Sequence, residues 1–113
     1  MKYYSEADSG PLRQAFEEEV LGWPGVGRRR MFGVPCYLAT GKLFAFLVTD
    51  GIVITKLPQP DREALLRRFK ATAFRSGDRL YRTWVRLSVN SLDGLDDIMP
   101  LVRQSYEVVC LRG

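Results

Sequence analysis

The sequence predicts an α+β fold, in which an antiparallel β-meander is packed with helices in one two-layer domain. Three observations lead there. Short β-branched and aromatic runs separated by Gly-containing turns fill residues 28 to 57, as four hairpin-linked strands would. Amphipathic helical spacing brackets that region, with apolar residues at Leu12, Ala15, Phe16 and Val20 before it and at Ile98, Leu101, Val102 and Ser105 after it. At 113 residues the chain also has enough apolar sequence to bury one core without disulfides or metal. The expected domain is 1–113, with an ordered core over about 9–110.

Taken in order, Ser9 is placed to cap a first helix and Pro11 to sit in its first turn, and Gly22 and Pro24 end it. Strands are expected over Arg29–Phe32 and Val34–Ala39, broken at Gly33, with Pro35 marking an edge or a bulge. Thr40-Gly41 turns the chain into KLFAFLVTDGIVITKL, the central hairpin. Asp50-Gly51 there predicts a type I′ turn, which needs positive φ at both central residues. The first arm alternates Leu43, Ala45 and Leu47 with Phe44, Phe46 and Val48, so both its faces should be covered. Pro58-Gln59-Pro60 opens a second helix with Asp61 and Glu63 first, Arg67, Arg68 and Lys70 last, and a buried stripe of Leu65, Leu66 and Phe69. Along the next strand Tyr81, Thr83, Val85, Leu87 and Val89 form one side; Arg82, Trp84, Arg86 and Ser88 form the other. A turn over Asn90 to Gly94 leads to a last helix from Asp96 or Asp97, with Pro100 in its first turn.

Composition narrows the function. The chain has no histidine, which removes Ser-His-Asp and Cys-His catalysis and most zinc sites. The two cysteines, Cys36 and Cys110, form no CxxC pair and read as reduced, buried thiols, leaving no expected metal or cofactor. Cys36 and Lys56 are the only reactive side chains that suggest an enzyme, and the expectation is a non-enzyme. Without a membrane-length apolar run or a secretory signal, the expected location is cytoplasmic.

Charge is distributed unevenly. Residues 26 to 89 carry thirteen Lys or Arg against four Asp or Glu, while both ends are net acidic. That points the middle of the chain toward an anionic partner, or toward acidic helices that neutralise a basic sheet. Gly25-Val26-Gly27 before Arg28, Arg29 and Arg30 lacks the Gly-Lys-Ser/Thr ending of a phosphate loop and reads as a loop delivering basic side chains. Arg82, Trp84 and Arg86, with Arg75 and Arg79 just before, form a basic-aromatic-basic strand face. Such a face suits a protein interface, or single-stranded nucleic acid held by stacking and phosphate contact.

Arg30-Met31-Phe32-Gly33, then Gly41-Lys42-Leu43-Phe44-Ala45, Asp50-Gly51 and Lys56, resembles the N-terminal domain of the TfoX (Sxy) competence-regulator family. Thr83-Trp84-Val85-Arg86-Leu87 and Ser105-Tyr106 resemble the related YjbR/MmcQ family. The pattern departs after Gly33, where Val34-Pro35-Cys36 replaces a further glycine and an aromatic-glycine pair. The resemblance implies a compact α+β domain without enzymatic activity, associated with transcriptional regulation; YjbR relatives are described as predicted DNA-binding proteins.

The expectation is thus a regulatory or protein-interaction module, with DNA or RNA binding through the basic strand face as the alternative. The strand edges at Met31 to Cys36 are the natural place for a homodimer should one form, and no membrane association is expected.

Overall fold

The computed structural model describes all residues except 1–3, 32, 69, 70, 90 and 113. Its elements run α1 (Glu6–Val20), β1 (Val26–Met31), β2 (Val34–Ala39), β3 (Lys42–Val48), β4 (Gly51–Ile54), α2 (Gln59–Arg68), β5 (Ala71–Ser76), β6 (Arg79–Ser88) and α3 (Leu92–Arg112). The strands form one antiparallel sheet in the order β1-β2-β3-β4-β6-β5. The first four are the expected meander; α2 then carries the chain past the place that β6 fills, so β5 becomes an edge. The fold is α+β.

The hairpin turns differ from their sequence reading. Val48 pairs with Gly51, so the β3–β4 turn is Thr49-Asp50, and Asp50 takes the left-handed conformation at φ 53°. Gly51 has a different reason to be glycine: a Cβ there would lie 3.0 Å from the Leu87 carbonyl oxygen and 3.1 Å from Val48 Cγ2. The pattern of a type I′ turn falls instead at Thr40-Gly41, with φ of 49° and 84°.

Two helices begin earlier than their prolines suggest. α1 starts at Glu6, with Ser5 in the cap position making no side-chain cap, and Glu6 and Asp8 in a first turn that favours acidic residues. Pro11 is therefore internal, and Ser9 does another job: its hydroxyl accepts the Asp50 N–H at 3.0 Å, tying α1 to the central turn. α3 starts at Leu92, because the Ser91 hydroxyl accepts the Gly94 N–H at 3.0 Å and caps it, leaving Pro100 internal. In α2, Leu65 is buried but Leu66 is exposed; Phe69, Lys70 and Asn90 lie outside the described residues.

α1 and α3 cover one face of the sheet, here the near face, while α2 lies against β5 and β6. Phe16 and Val20 of α1 and Ile98, Val102 and Tyr106 of α3 are buried. Phe16 packs on Tyr37 at 4.8 Å between ring centroids, and Tyr106 meets Phe44 edge-on at 5.5 Å. The Ser105 hydroxyl accepts the Lys56 N–H at 3.1 Å and donates to the Phe44 carbonyl at 2.8 Å, pinning α3 to β3. Glu17 gathers polar groups beside this core: Arg13, Arg28 and the Tyr37 hydroxyl all donate to its carboxylate within 3.1 Å. Among the described residues, no buried side-chain nitrogen or oxygen lacks a hydrogen-bond partner.

Phe44 and Phe46 occupy opposite faces, against the simple alternation expected of β3. Cys36 pairs with Phe46 and Tyr37 with Ala45, but Leu38 pairs with Leu43, so Phe44 is an extra residue in a β-bulge. The bulge turns Phe44 toward the near face with Ala45, and Phe46 is left on the far face.

Candidate binding cleft

The far face has no helix from α1 or α3, yet Val34, Cys36, Leu38, Phe46, Val48 and Val53 are all buried. The sheet covers them by curling. β3 and β5 stand three ladder steps apart, roughly 14 Å in a flat sheet. Even so, the Phe46 and Phe74 rings meet edge-on with centroids 5.2 Å apart. β1 and β5 are the two sheet edges, and Met31 from one and Phe74 and Ser76 from the other line the same cavity.

That cavity is an apolar cleft of about 230 Å³. Met31, Val34, Cys36 and Leu43 form one wall, from β1, β2 and β3. Phe74, Tyr81 and Trp84 face them from the β5–β6 hairpin, with Phe46 between. The rings hold one another: Tyr81 stacks on Trp84 at 4.5 Å and 13°, and Trp84 meets Phe46 edge-on at 5.5 Å. These are the offset and edge-to-face geometries that aromatic quadrupoles favour.

A second bulge makes the stack. Ala73 pairs with Val85 but Phe74 with Tyr81, so Arg82, Thr83 and Trp84 face no partner residues on β5. Tyr81 thereby comes to the Trp84 side instead of the Val85 and Leu87 side, and Thr83, which alternation groups with buried Val85 and Leu87, is exposed. A two-residue alternation cannot signal this slip. The one available hint was three aromatic residues within Phe74–Trp84, more than a single strand face needs.

The predicted basic residues fall into two groups. Strand alternation puts Arg29, Arg79 and Arg86 on the far face with Trp84, and Arg28, Arg30 and Arg75 on the other side of their strands. Arg28 is bound to Glu17, and Arg30 donates to the Gly33 carbonyl at 3.4 Å. The Arg79 guanidinium lies over the Tyr81 ring at 4.9 Å, at the cleft rim. Arg86 is half-buried and donates to the Thr49 carbonyl at 3.2 Å. Arg82 is exposed within the bulge. Trp84 itself is half-buried, with one ring face taken by Tyr81.

Cys36 lies in the cleft floor, and burial pushes its thiol pKa up, against a weaker opposing effect from the Met31 backbone. Such a thiol is a poor nucleophile at neutral pH. Cys110 is exposed, where burial was expected, because it falls on the outer side of the last turns of α3. Lys56 is exposed on the segment after β4 and does not line the cleft. The expected dimer edge also moves: β2 is an interior strand, so the free sheet edges are β1 and β5.

Among the described residues, no group of three or more Cys, Asp or Glu is placed to hold a metal ion, and no helix is long and apolar enough to cross a membrane. Comparison of the chain with protein-family models, with curated proteins and with solved structures finds no match.

Proposed function

We propose that this chain is a non-catalytic, regulatory interaction module whose binding face is the far face of the curled sheet, centred on the Phe46–Trp84 cleft. One observation carries the reading: the cleft is apolar, preformed and open at the surface, whereas protein interiors otherwise leave few voids larger than a water molecule. Concave apolar sites with aromatic walls are where small-molecule binding concentrates. The side chains around it offer surface but little chemistry, because the Cys36 thiol is held in its protonated form. The regulatory role implied by the resemblance to TfoX N-terminal domains belongs to this same proposal.

A cleft-filling variant tests it. Leu43→Trp adds bulk from a half-buried lining position and should leave the fold intact while blocking the face. Partners cross-linked to the wild-type protein in its native extract should be lost with Leu43→Trp. Retention of the same partners would overturn the reading. Oligonucleotide titration at two salt concentrations tests the alternative. Steeply salt-dependent, saturable binding through Arg29, Arg79 and Arg86 would replace the interaction module with a nucleic-acid binder.

A further inference from the structure

We infer that the cleft is a binding site for a neutral, fused two-ring aromatic molecule, of the size of indole or naphthalene. The inference rests on the far face being the binding face, and adds what binds there.

Size sets the first limit. A cavity of about 150 Å³ lined by aliphatic and aromatic side chains stays dry and takes benzene, whereas drug-sized ligands need roughly 300 Å³ or more. At about 230 Å³ the cleft lies between them, too large for one ring to fill and of a size that two fused rings occupy.

Charge sets the second. Among the described residues, no Lys, Arg, Asp or Glu lines the cleft. An ionised ligand would lose its hydration there without gaining a counter-charge, so the bound core must be neutral. The Arg79 guanidinium already lies against the Tyr81 ring.

Ring chemistry sets the third. Of the nine described lining residues four are aromatic, and Met31 and Cys36 supply sulfur, which favours ring contacts over aliphatic ones. Phe46 stands edge-on to both Phe74 and Trp84, at 87° and 72°. A flat guest between such walls gains edge-to-face contacts that a saturated guest of equal volume does not. The walls are already braced, because each ring is held by its neighbours before any guest arrives.

The test is a titration of the ¹⁵N-labelled full chain with 2-naphthol, against its saturated analogue 2-decalol and its charged analogue 2-naphthoate. Saturable shifts are expected with 2-naphthol at the amides of Val34, Cys36, Phe46 and Trp84. Binding of the other two compounds should be about tenfold weaker or less, the loss expected when ring contacts or neutrality are removed. Cys36→Leu and Leu43→Trp should both abolish the shifts while keeping a dispersed spectrum. Equal binding of 2-decalol, shifts confined to another surface, or no saturation by the folded wild type would each overturn the inference. If 2-naphthol fails while Leu43→Trp still loses the cross-linked partners, the ligand inference falls and the interaction module stands. If 2-naphthol binds while those partners persist, the reverse holds.

Discussion

Phe44 and Phe46 stand two residues apart in one strand and meet different kinds of interior. Phe44 is fully buried at 0 % exposure under α3, against Tyr106 and Trp23, with the Ser105 hydroxyl bonded to its carbonyl. Phe46 is 5 % exposed, and among the described residues its ring meets Phe74 and Trp84 of the same sheet, which curls over it and leaves a cleft. The near face is covered by another layer, whose helices set Phe16 on Tyr37 and Tyr106 on Phe44. The far face is closed by twist and bulges, which bury side chains without filling all the space between them. Apolar burial by itself therefore does not distinguish a structural face from a binding face; the difference is how completely the space is filled.

The largest expected effect tests that difference directly. Phe44→Ala should destabilise the protein by about 3–5 kcal/mol, because it opens a cavity under a helix that cannot settle into it. Phe46→Ala should cost less, since its ring already borders open space and loses fewer contacts. Urea denaturation of the two variants would measure the gap. Equal losses would mean that the two faces are packed alike.

Additions should show the opposite asymmetry. Ala45→Leu, on the near face between β2 and β4, should cost about 1–3 kcal/mol through overpacking. Cys36→Leu, which places its extra carbons in the cleft, should be neutral or raise the melting temperature. A Cys36→Leu protein as unstable as Ala45→Leu would show that the cleft is not free space.

A smaller loss, about 1–3 kcal/mol with the centre near 2, is expected for Ser105→Ala, because the Lys56 N–H and the Phe44 carbonyl would both lose their partner. Thermal unfolding should detect it.

Much of this was legible in the sequence. Periodicity locates the three helices and the meander because those patterns record which residues meet the core, and Phe44, Phe46 and Leu47 are all buried as the central hairpin requires. The two bulges were not legible. Each depends on how one strand registers against another, and the sequence of β3 alone cannot show that Leu38 pairs with Leu43 instead of Phe44. The cleft depends on both bulges, so its walls were scattered among separate readings: Met31 at a strand edge, Cys36 as a buried thiol, Trp84 in a basic-aromatic face. The basic patch was over-read for a related reason. Net charge along the chain cannot say that Arg28 and Arg30 leave their strand on one side and Arg29 on the other. Helix starts erred because Pro11 and Pro100 were read as first-turn residues, whereas Ser91 caps α3 well upstream of its proline.

The smallest expected effect is a dependence on pH confined to the near face and its margin. Burial and the neighbouring Glu6 raise the pKa of Tyr4 to about 12, and burial with the Glu17 hydrogen bond raises that of Tyr37 above its ordinary value. In the unfolded chain both phenols ionise near pH 10. Above that pH the unfolded state releases protons that the folded state still holds, so stability must fall with rising pH. The contribution of these groups is complete below about pH 10 and, for Tyr4, is lost as the pH passes through about 12. Glu6 behaves in the opposite sense: its hydrogen bonds from Arg13 and Tyr4 hold its pKa near 2, so its contribution is present above the ordinary carboxylate range and fades only in strong acid. Urea midpoints measured from pH 8 to 12 should decline from pH 10 upward, and the decline should be shallower in Tyr4→Phe and in Tyr37→Phe. Near-face packing through Glu17 predicts that Tyr37→Phe also lowers the midpoint at pH 8, by removing a hydrogen bond of 2.7 Å. A wild-type midpoint that stays level through pH 12 would mean that neither hydroxyl is held as the near face requires.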